Sequence, residues 1–376
     1  MGRRFLLVTE EWAGSGHRMA AQALAEELTA RTEAESARIV GGLETASPAL
    51  RELSRFFYLG MLRYAPPLWQ RIYEREKMWS AALKKPLSWW LSQRLTEAVL
   101  QREKPDVVVA THAYCLAALA RAKRDMAQPF HLVSIPTDYH VNHFWVDPLI
   151  DTYIVAHEQL AETLADHYQV SAEKIHVHGI PVRSAFRDAE KTDKPGWKTR
   201  LGLSPKTFTV LVCGGEGGYG GMKDVLQELM RLQEPLQIVV ITGKNAKLLQ
   251  QLDAWHKEQE RSHPHLVWIK GYEPQMWQWI GAADAYISKP GGISCAEALA
   301  LKTPLLLYKP LPGQERRNSA FLRSHQAAAV AAEPEDIRHI INRWRVREEW
   351  ERAIEQMEPL RRPDATRQIA EYLLRL

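Results

Sequence analysis

The chain alternates short apolar runs with longer amphipathic stretches. Strands are predicted at Phe5–Thr9, Val107–Ala110, His131–Ile135, Thr152–Val155 and His176–His178, and then at Thr209–Cys213, Gln237–Ile241, Leu266–Ile269, Ala285–Ser288 and Pro304–Tyr308. Several of these, such as TVLVC and IVVIT, are apolar almost without interruption, which suits strands covered on both faces of a parallel sheet. Helical spacing falls between them, at Ala20–Thr32, Glu158–Tyr168, Lys223–Leu232 and Ala296–Leu301. Strand and helix in alternation predict an α/β chain of doubly wound sheets. The polar stretch Arg187–Leu203, with Pro195 and Gly196, divides the series into two similar halves and reads as a linker plus the first helix of the second half. The charged stretch Arg343–Leu376 is helical in pattern, interrupted by Pro359 and Pro363.

A length of 376 residues fits two domains, at about 150 residues each. With 45% apolar and 25% charged residues the composition is that of a globular protein, not a disordered or fibrous one. The net charge of +4 fits an anionic ligand or membrane surface and is too weak to point to nucleic acid. Cys115, Cys213 and Cys295 are far apart and match no disulfide framework or zinc spacing, so a reducing, cytoplasmic compartment is expected. The start MGRRFLLVTEE lacks a signal-peptide pattern, and no apolar run is long enough to span a bilayer.

Two glycine turns follow strands. Gly14-Ser15-Gly16-His17 comes after FLLVT, and Gly214-Gly215-Glu216-Gly217-Gly218-Tyr219-Gly220-Gly221 comes directly after TVLVC. Glycine permits positive φ and lets backbone N–H groups approach an anion, while a following helix adds its dipole. A tight strand–helix turn without ligand would look the same. Gly215, Gly217 and Gly220 satisfy G-x-G-x-x-G, a weak signal on its own. A third turn, Lys289-Pro290-Gly291-Gly292, stands between a strand and a helix. Ser294 and Glu297 behind it have the spacing of a capping box, and spacing alone favours that reading over a nucleotide site.

Together these segments carry a resemblance. GSGH at 14–17, THAY at 111–114, TDYHVNHFW at 137–145, GIPV at 179–182, GGEGGYG at 214–220, TGKN at 242–245, KPGGISCAEAL at 289–299 and GQERRN at 313–318 resemble the monogalactosyldiacylglycerol synthase and bacterial diacylglycerol glucosyltransferase family. That family is similar in turn to the peptidoglycan N-acetylglucosaminyl transferases. The resemblance implies a GT-B fold, two Rossmann-like domains facing a cleft, with residues 1–186 on the acceptor and membrane side and 187–353 binding a UDP-sugar. A terminal helix at about 354–376 would pack back on the first domain. Asn142-His143 departs from the His-Pro or His-Gly usual in relatives, and Ser294 replaces the usual Thr.

Carried over by position, the resemblance implies a donor site of Gly214, Gly215, Glu216 and Gly217 at the diphosphate and sugar, with Thr242, Gly243, Lys244 and Asn245 lining the same cleft. Gly271 and Tyr272 belong to the segment holding uracil, Gly291 and Gly292 to the turn. Ser294 would touch the α-phosphate and Glu297 the ribose. Gln314, Glu315 and Asn318 would read the sugar, since carboxamides and carboxylates pair with hydroxyls. The catalytic base falls on His17, with Asp138 orienting it or acting as base itself. A histidine suits that task because its pKa lies near operating pH. Gly16, His112, His143 and Trp145 fall on the acceptor side. His176 and His178 alternate on a strand without a third ligand and read as structural.

The sequence contains no D-x-D, so transfer without a metal ion or other cofactor is expected, with UDP-sugar as co-substrate. The family inverts, implying a β-linked product. Residues 51–95 hold nine basic and three acidic side chains among many aromatics, including Trp69, Trp79, Lys84, Lys85, Trp89 and Trp90. Such a mixture suits anionic headgroups, though a helical core with a solvated face has the same composition. The expected partners are thus UDP-sugar, diacylglycerol or a related lipid, and an anionic membrane surface, with the protein peripheral on the cytoplasmic face of the cell membrane. Glucose is favoured over galactose, because the unextended start and basic face suit a bacterial enzyme. The alternatives are a UDP-N-acetylglucosamine 2-epimerase, a transferase for another lipid-linked acceptor, a nicotinamide oxidoreductase and a non-catalytic UDP-sugar sensor.

Overall fold

Two parallel sheets of six strands organise the chain. A computed structural model describes residues 2–11, 15–64, 88–127, 130–259 and 263–376. The first sheet contains β1 (Arg3–Thr9), β2 (Ala34–Gly41), β3 (Val107–Ala110), β4 (His131–Ser134), β5 (Thr152–Val155) and β6 (Ile175–Val177) in the order β2-β1-β3-β4-β5-β6. The second contains β7 (Thr209–Cys213), β8 (Gln237–Ile241), β9 (Leu266–Lys270), β10 (Ala285–Ser288), β11 (Leu305–Tyr308) and β12 (Ala329–Ala331) in the order β12-β11-β10-β7-β8-β9. Read from β9, this is the strand order of dinucleotide-binding folds, reversing between β7 and β10. The first sheet reverses between β1 and β3.

The apolar runs form these strands because helices cover both faces. Every residue of β3, β7 and β8 is buried. In the first unit, Phe5, Leu7, Val107 and Val109 pack with Ala21, Leu24 and Leu28 of the helix Gly16–Thr29. In the second, Val210, Val212, Ile238 and Val240 pack with Val225, Leu226 and Leu229 of the helix Met222–Met230. Each such side chain contributes about 1.5–3 kcal/mol when fully buried.

The chain divides into a unit of residues 1–184, 312–314 and 364–376 and a unit of residues 185–311 and 315–363. The terminal return begins later than expected. Pro359 and Pro363 end the preceding helices, so Arg347–Glu355 stays with the second unit and only Ala365–Arg375 packs on the helix Gly16–Thr29. Ile369, Ala370 and Leu373 enter the first core, and Tyr372 Oη lies 2.8 Å from His176 Nε2.

The expected linker is built differently. Residues 187–203 span the end of one short helix, Ser184–Ala189, a turn and a second helix, Lys194–Arg200, all within the second unit from Ala185 on. Trp197 is buried over Gly281, where an added Cβ would lie 2.9 Å from the indole. Lys198 Nζ pairs with Asp284 Oδ2, which also accepts the amide of Thr209 at 2.7 Å. The helix predicted at Glu158–Tyr168 is α-helical only to Glu162 and continues as a wider π turn at Thr163–His167. Among the described residues no helix is long and apolar enough to cross a membrane.

Candidate functional site

In open α/β sheets ligands bind beyond the carboxyl ends of strands, where the strand order reverses. In the second unit that point lies between Cys213 of β7 and Ser288 of β10, which are register partners. The loops leaving these strands are the two glycine turns.

The first turn folds back on itself. The Tyr219 amide donates to the Gly214 carbonyl at 2.9 Å, and a Cβ on Gly214 would fall 2.1 Å from the Tyr219 carbonyl oxygen. Gly215 and Gly218 have φ of +68° and +66°, open to glycine at no steric cost. The expected cleft residues Thr242–Asn245 brace this loop from below. The Lys244 amide donates to the Glu216 carbonyl at 2.8 Å, and Asn245 Nδ2 donates to the Gly217 carbonyl at 3.1 Å. Thr242 is buried and its hydroxyl donates to the Lys270 carbonyl, so Thr242 and Asn245 shape the loop. Gly243 passes so close that a Cβ would lie 2.4 Å from the Glu216 carbonyl oxygen. Glu216 and Lys244 form an ion pair, and the Lys244 ammonium is 5.4 Å from the centre of the exposed Tyr272 ring, beside Gly271.

The second turn corrects the capping-box reading. The helix runs Gly292–Ala300 with Gly291 as its N-cap, so Ser294 is already in the first turn and caps nothing. Ser294 and Glu297 share a helix face at the start of this helix. Glu297 is 8% exposed. A hydroxyl and a carboxylate placed beside a glycine-lined helix N-terminus suit a phosphate and a diol.

The expected sugar-reading set Gln314, Glu315 and Asn318 packs against the second turn. Asn318 is fully buried and its Nδ2 donates to the Pro290 carbonyl at 3.0 Å. Glu315 pairs with Lys289 and accepts the Leu311 amide at 2.9 Å. Both hold the turn at 289–292, and Gln314 alone of the three is half-exposed. Lys289, Glu315's partner, escaped the sequence reading as a site residue.

In the first unit, the corresponding reversal lies between β1 and β3. The helix Gly16–Thr29 begins just after β1, and Gly14 lies outside the described residues. His17 is half-buried at its start. Its Nδ1 is 2.8 Å from the Thr111 carbonyl and 2.8 Å from Thr137 Oγ1. A carbonyl can only accept, so Nδ1 carries the proton and Nε2 of the neutral ring is the acceptor. Thr111 locks the arrangement, its hydroxyl reaching the His17 carbonyl at 3.0 Å and Thr9 Oγ1 at 2.8 Å. Burial pushes the His17 pKa below its ordinary value, opposed by the charge of Asp138 and the Thr111 hydrogen bond. His112 packs edge-on to His17, ring centres 4.6 Å apart, and burial, helped by His17, holds its pKa well down. Thr111 and Thr137 open the motifs at 111–114 and 137–145, but their role was not read there, because they meet His17 only through the fold.

The other acceptor-side residues divide. His112 caps its helix, accepting the Tyr114 amide at 3.4 Å. Trp145 is buried in the first unit. His143 packs edge-on to Tyr168 at 4.8 Å. Trp89 is exposed and Trp90 half-buried. Trp69, Trp79, Lys84 and Lys85 lie outside the described residues. The helix Pro48–Tyr64 exposes Leu53, Phe56 and Phe57, with Phe56 at 78%. A polar pocket of about 250 Å³ opens beside β1 and β2, lined by Glu10, Glu11, Glu44, Arg18 and Arg51 among others.

Residues 17–182 match the monogalactosyldiacylglycerol (MGDG) synthase family, and residues 209–342 match the glycosyltransferase family 28 C-terminal domain. A processive diacylglycerol beta-glucosyltransferase of Bacillus cereus is 30% identical over 338 residues, covering 89% of this chain and 83% of that one. Its counterpart in Bacillus anthracis gives the same values. Among solved structures, Acinetobacter baumannii MurG superposes with a TM-score of 0.65 at 13% identity, covering 99% of this chain and 100% of that one. UDP-GlcNAc 2-epimerase from Neisseria meningitidis, bound to UDP-GlcNAc, reaches 0.64 at 16% identity over 99% and 100%. Anabaena HepE in complex with UDP-glucose reaches 0.55 at 14% identity over 99% and 100%. The fold is GT-B, and with sequence likeness spanning both sheets the chain belongs to the monogalactosyldiacylglycerol synthase and diacylglycerol glucosyltransferase family, a glycosyltransferase of glycolipid synthesis.

Proposed function

We propose that the chain moves glucose, in preference to galactose, from UDP-sugar to diacylglycerol at an anionic membrane surface on the cytoplasmic face, with inversion and without a metal ion. The observation that carries this reading is His17, fixed by the Thr111 carbonyl in the tautomer that presents Nε2 as a base. In the reaction the acceptor oxygen bonds to the anomeric carbon while its proton passes to Nε2. The bond from that carbon to the β-phosphate oxygen breaks, and its electron pair leaves with UDP. One displacement converts an α-linked donor into a β-linked product. Asp138 stabilises the imidazolium that forms.

The second unit holds the donor. Ser294 and the amides of the 214–218 and 291–292 turns take the diphosphate, Glu297 the ribose hydroxyls, Gly271 and Tyr272 the uracil, and Gln314 the sugar. The names of the relatives support glucose and diacylglycerol, and the UDP complexes of the structural neighbours support the nucleotide. The fold is equally that of 2-epimerases; the 30% relatives favour transfer. The exposed Leu53, Phe56 and Phe57, next to Arg51 and Arg55 on one helix, support docking on a bilayer.

The test is product analysis after incubation with UDP-glucose, UDP-galactose or UDP-GlcNAc and diacylglycerol vesicles, with and without chelator. A β-glucosyl lipid formed equally well in chelator is expected. Epimerised UDP-GlcNAc with no hexosyl lipid would overturn transfer, and activity restored only by a divalent metal would overturn the metal-free mechanism.

A further inference from the structure

We infer that Lys289 is a catalytic residue, the fixed cation that stabilises the departing nucleoside diphosphate, and that Glu315 positions it. This rests on the UDP-sugar reading of the second unit. A transferase that uses no metal must meet the charge growing on the leaving group with its own groups, and preorganised cations in a water-poor site are the strongest available.

Lys289 is the first residue after β10, at the reversal point of the second sheet. Its side chain runs between the two glycine turns. A Cβ on Gly215 would meet Lys289 Cε at 3.2 Å and lie 4.0 Å from Nζ, and one on Gly291 would lie 3.5 Å from Nζ. The ammonium therefore stands beside both backbone segments that suit an anion, and at Gly215 the missing Cβ leaves its stem room. It is also held. Glu315 Oε1 pairs with it while Oε2 accepts the Leu311 amide at 2.9 Å, and the lysine and glutamate side chains are 19% and 8% exposed. Lys244 and Lys309 reach the same loop from outside, but they are 65% and 51% exposed, where solvent screens them.

During transfer the bond between the anomeric carbon and the β-phosphate oxygen breaks and its electron pair stays on that oxygen. The diphosphate gains a unit of negative charge, and Lys289 faces it without giving up a proton. Glu315 keeps the ammonium in place before the donor arrives.

A purely structural pair would show the same geometry, so the test separates the roles. UDP and uridine binding by calorimetry and turnover are measured for the wild type, Lys289→Met and Lys289→Met with Glu315→Gln. The double variant removes both buried charges, so no unpaired carboxylate is left to destabilise the fold. In both variants we expect at least tenfold weaker UDP binding, unchanged uridine binding and at least a hundredfold lower kcat. Recovery of UDP affinity and turnover in the double variant would overturn the inference, as would an equal loss for uridine. A wild type that binds neither UDP nor uridine would instead overturn the sugar-nucleotide reading beneath it.

Discussion

Replacing His17 with Ala separates catalysis from folding. The substitution removes Nε2, the proposed base, and general-base contributions are typically 10²–10⁴-fold, or about 3–5 kcal/mol of barrier. The structural loss is smaller. Both contacts of Nδ1 disappear, to the Thr111 carbonyl and to Thr137 Oγ1; sharing one proton, they are worth about 1–1.5 kcal/mol net. The helix start survives, because the Thr111 hydroxyl reaches the residue-17 carbonyl, a backbone atom. A loss near 1 kcal/mol lowers Tm by about 2–4 °C in a domain of this size. The expected result is a kcat reduced at least a hundredfold in a protein that melts within a few degrees of the wild type.

The pH profile gives a second, independent reading. Burial lowers the His17 pKa, so the neutral base persists at pH 7 and the acid limb of kcat/KM lies below about pH 6.5. Asp138 raises that pKa, so Asp138→Asn should move the limb further toward acid. Initial rates of glycolipid formation over a pH series measure both effects. A His17→Ala enzyme that keeps more than a tenth of wild-type kcat, or whose residual activity shows the same acid limb, would refute the assignment.

Other sites give sharper structural outcomes. Asp284→Ala strands Lys198 and the Thr209 amide in the interior; urea unfolding should show a loss of about 3–5 kcal/mol. Gly243→Ala combines φ of +62° with a Cβ 2.4 Å from the Glu216 carbonyl oxygen; a loss of at least about 1–2 kcal/mol is expected from conformation alone, accompanied by weaker UDP binding in calorimetry. Phe56→Ser with Phe57→Ser removes exposed rings; stability should stay within about 0.5 kcal/mol while partition onto anionic vesicles falls at least tenfold in a sedimentation assay. His112 is held neutral by burial. Its folded pKa lies below the unfolded one, so stability is present above about pH 6.5 and declines as pH falls toward the folded pKa. His112→Gln should flatten that decline in melts at successive pH values.

The ten strands expected from the sequence all formed, most of them as apolar runs buried in the sheet. The two that escaped are edges. Ala34–Gly41 (AESARIVG) pairs only with β1 and buries only Val40, and Ala329–Ala331 is three residues long beside β11. Neither has the hydrophobic run of a strand buried on both faces. The glycine turns and His17 were legible for a similar reason: backbone that must bend sharply needs residues that stand out. The groups that give those turns their chemistry were not. Thr111 and Thr137 lie 94 and 120 residues from His17 in sequence, and nothing about a threonine announces such a contact. Ser294 and Glu297 show the opposite failure, since their spacing matched a local motif that the fold did not use.

Strand order explains why chemistry gathers at these turns and not at the others. In each sheet most neighbouring loops leave in the same rotational sense and are covered by the next helix. Only where the order reverses do two loops part and leave backbone amides unpaired with a following strand. In the first sheet the reversal sets His17 beside Thr111 and His112; in the second it joins Gly214–Gly221 to Lys289–Glu297. The proposed base, ribose ligand and diphosphate cation all sit at these two reversals, and among the described residues neither sheet has another. For that reason the disruptive changes in this protein are expected to be the small ones at the turns, such as a methyl group on Gly214 or Gly243, and not substitutions of larger side chains along the outer strands.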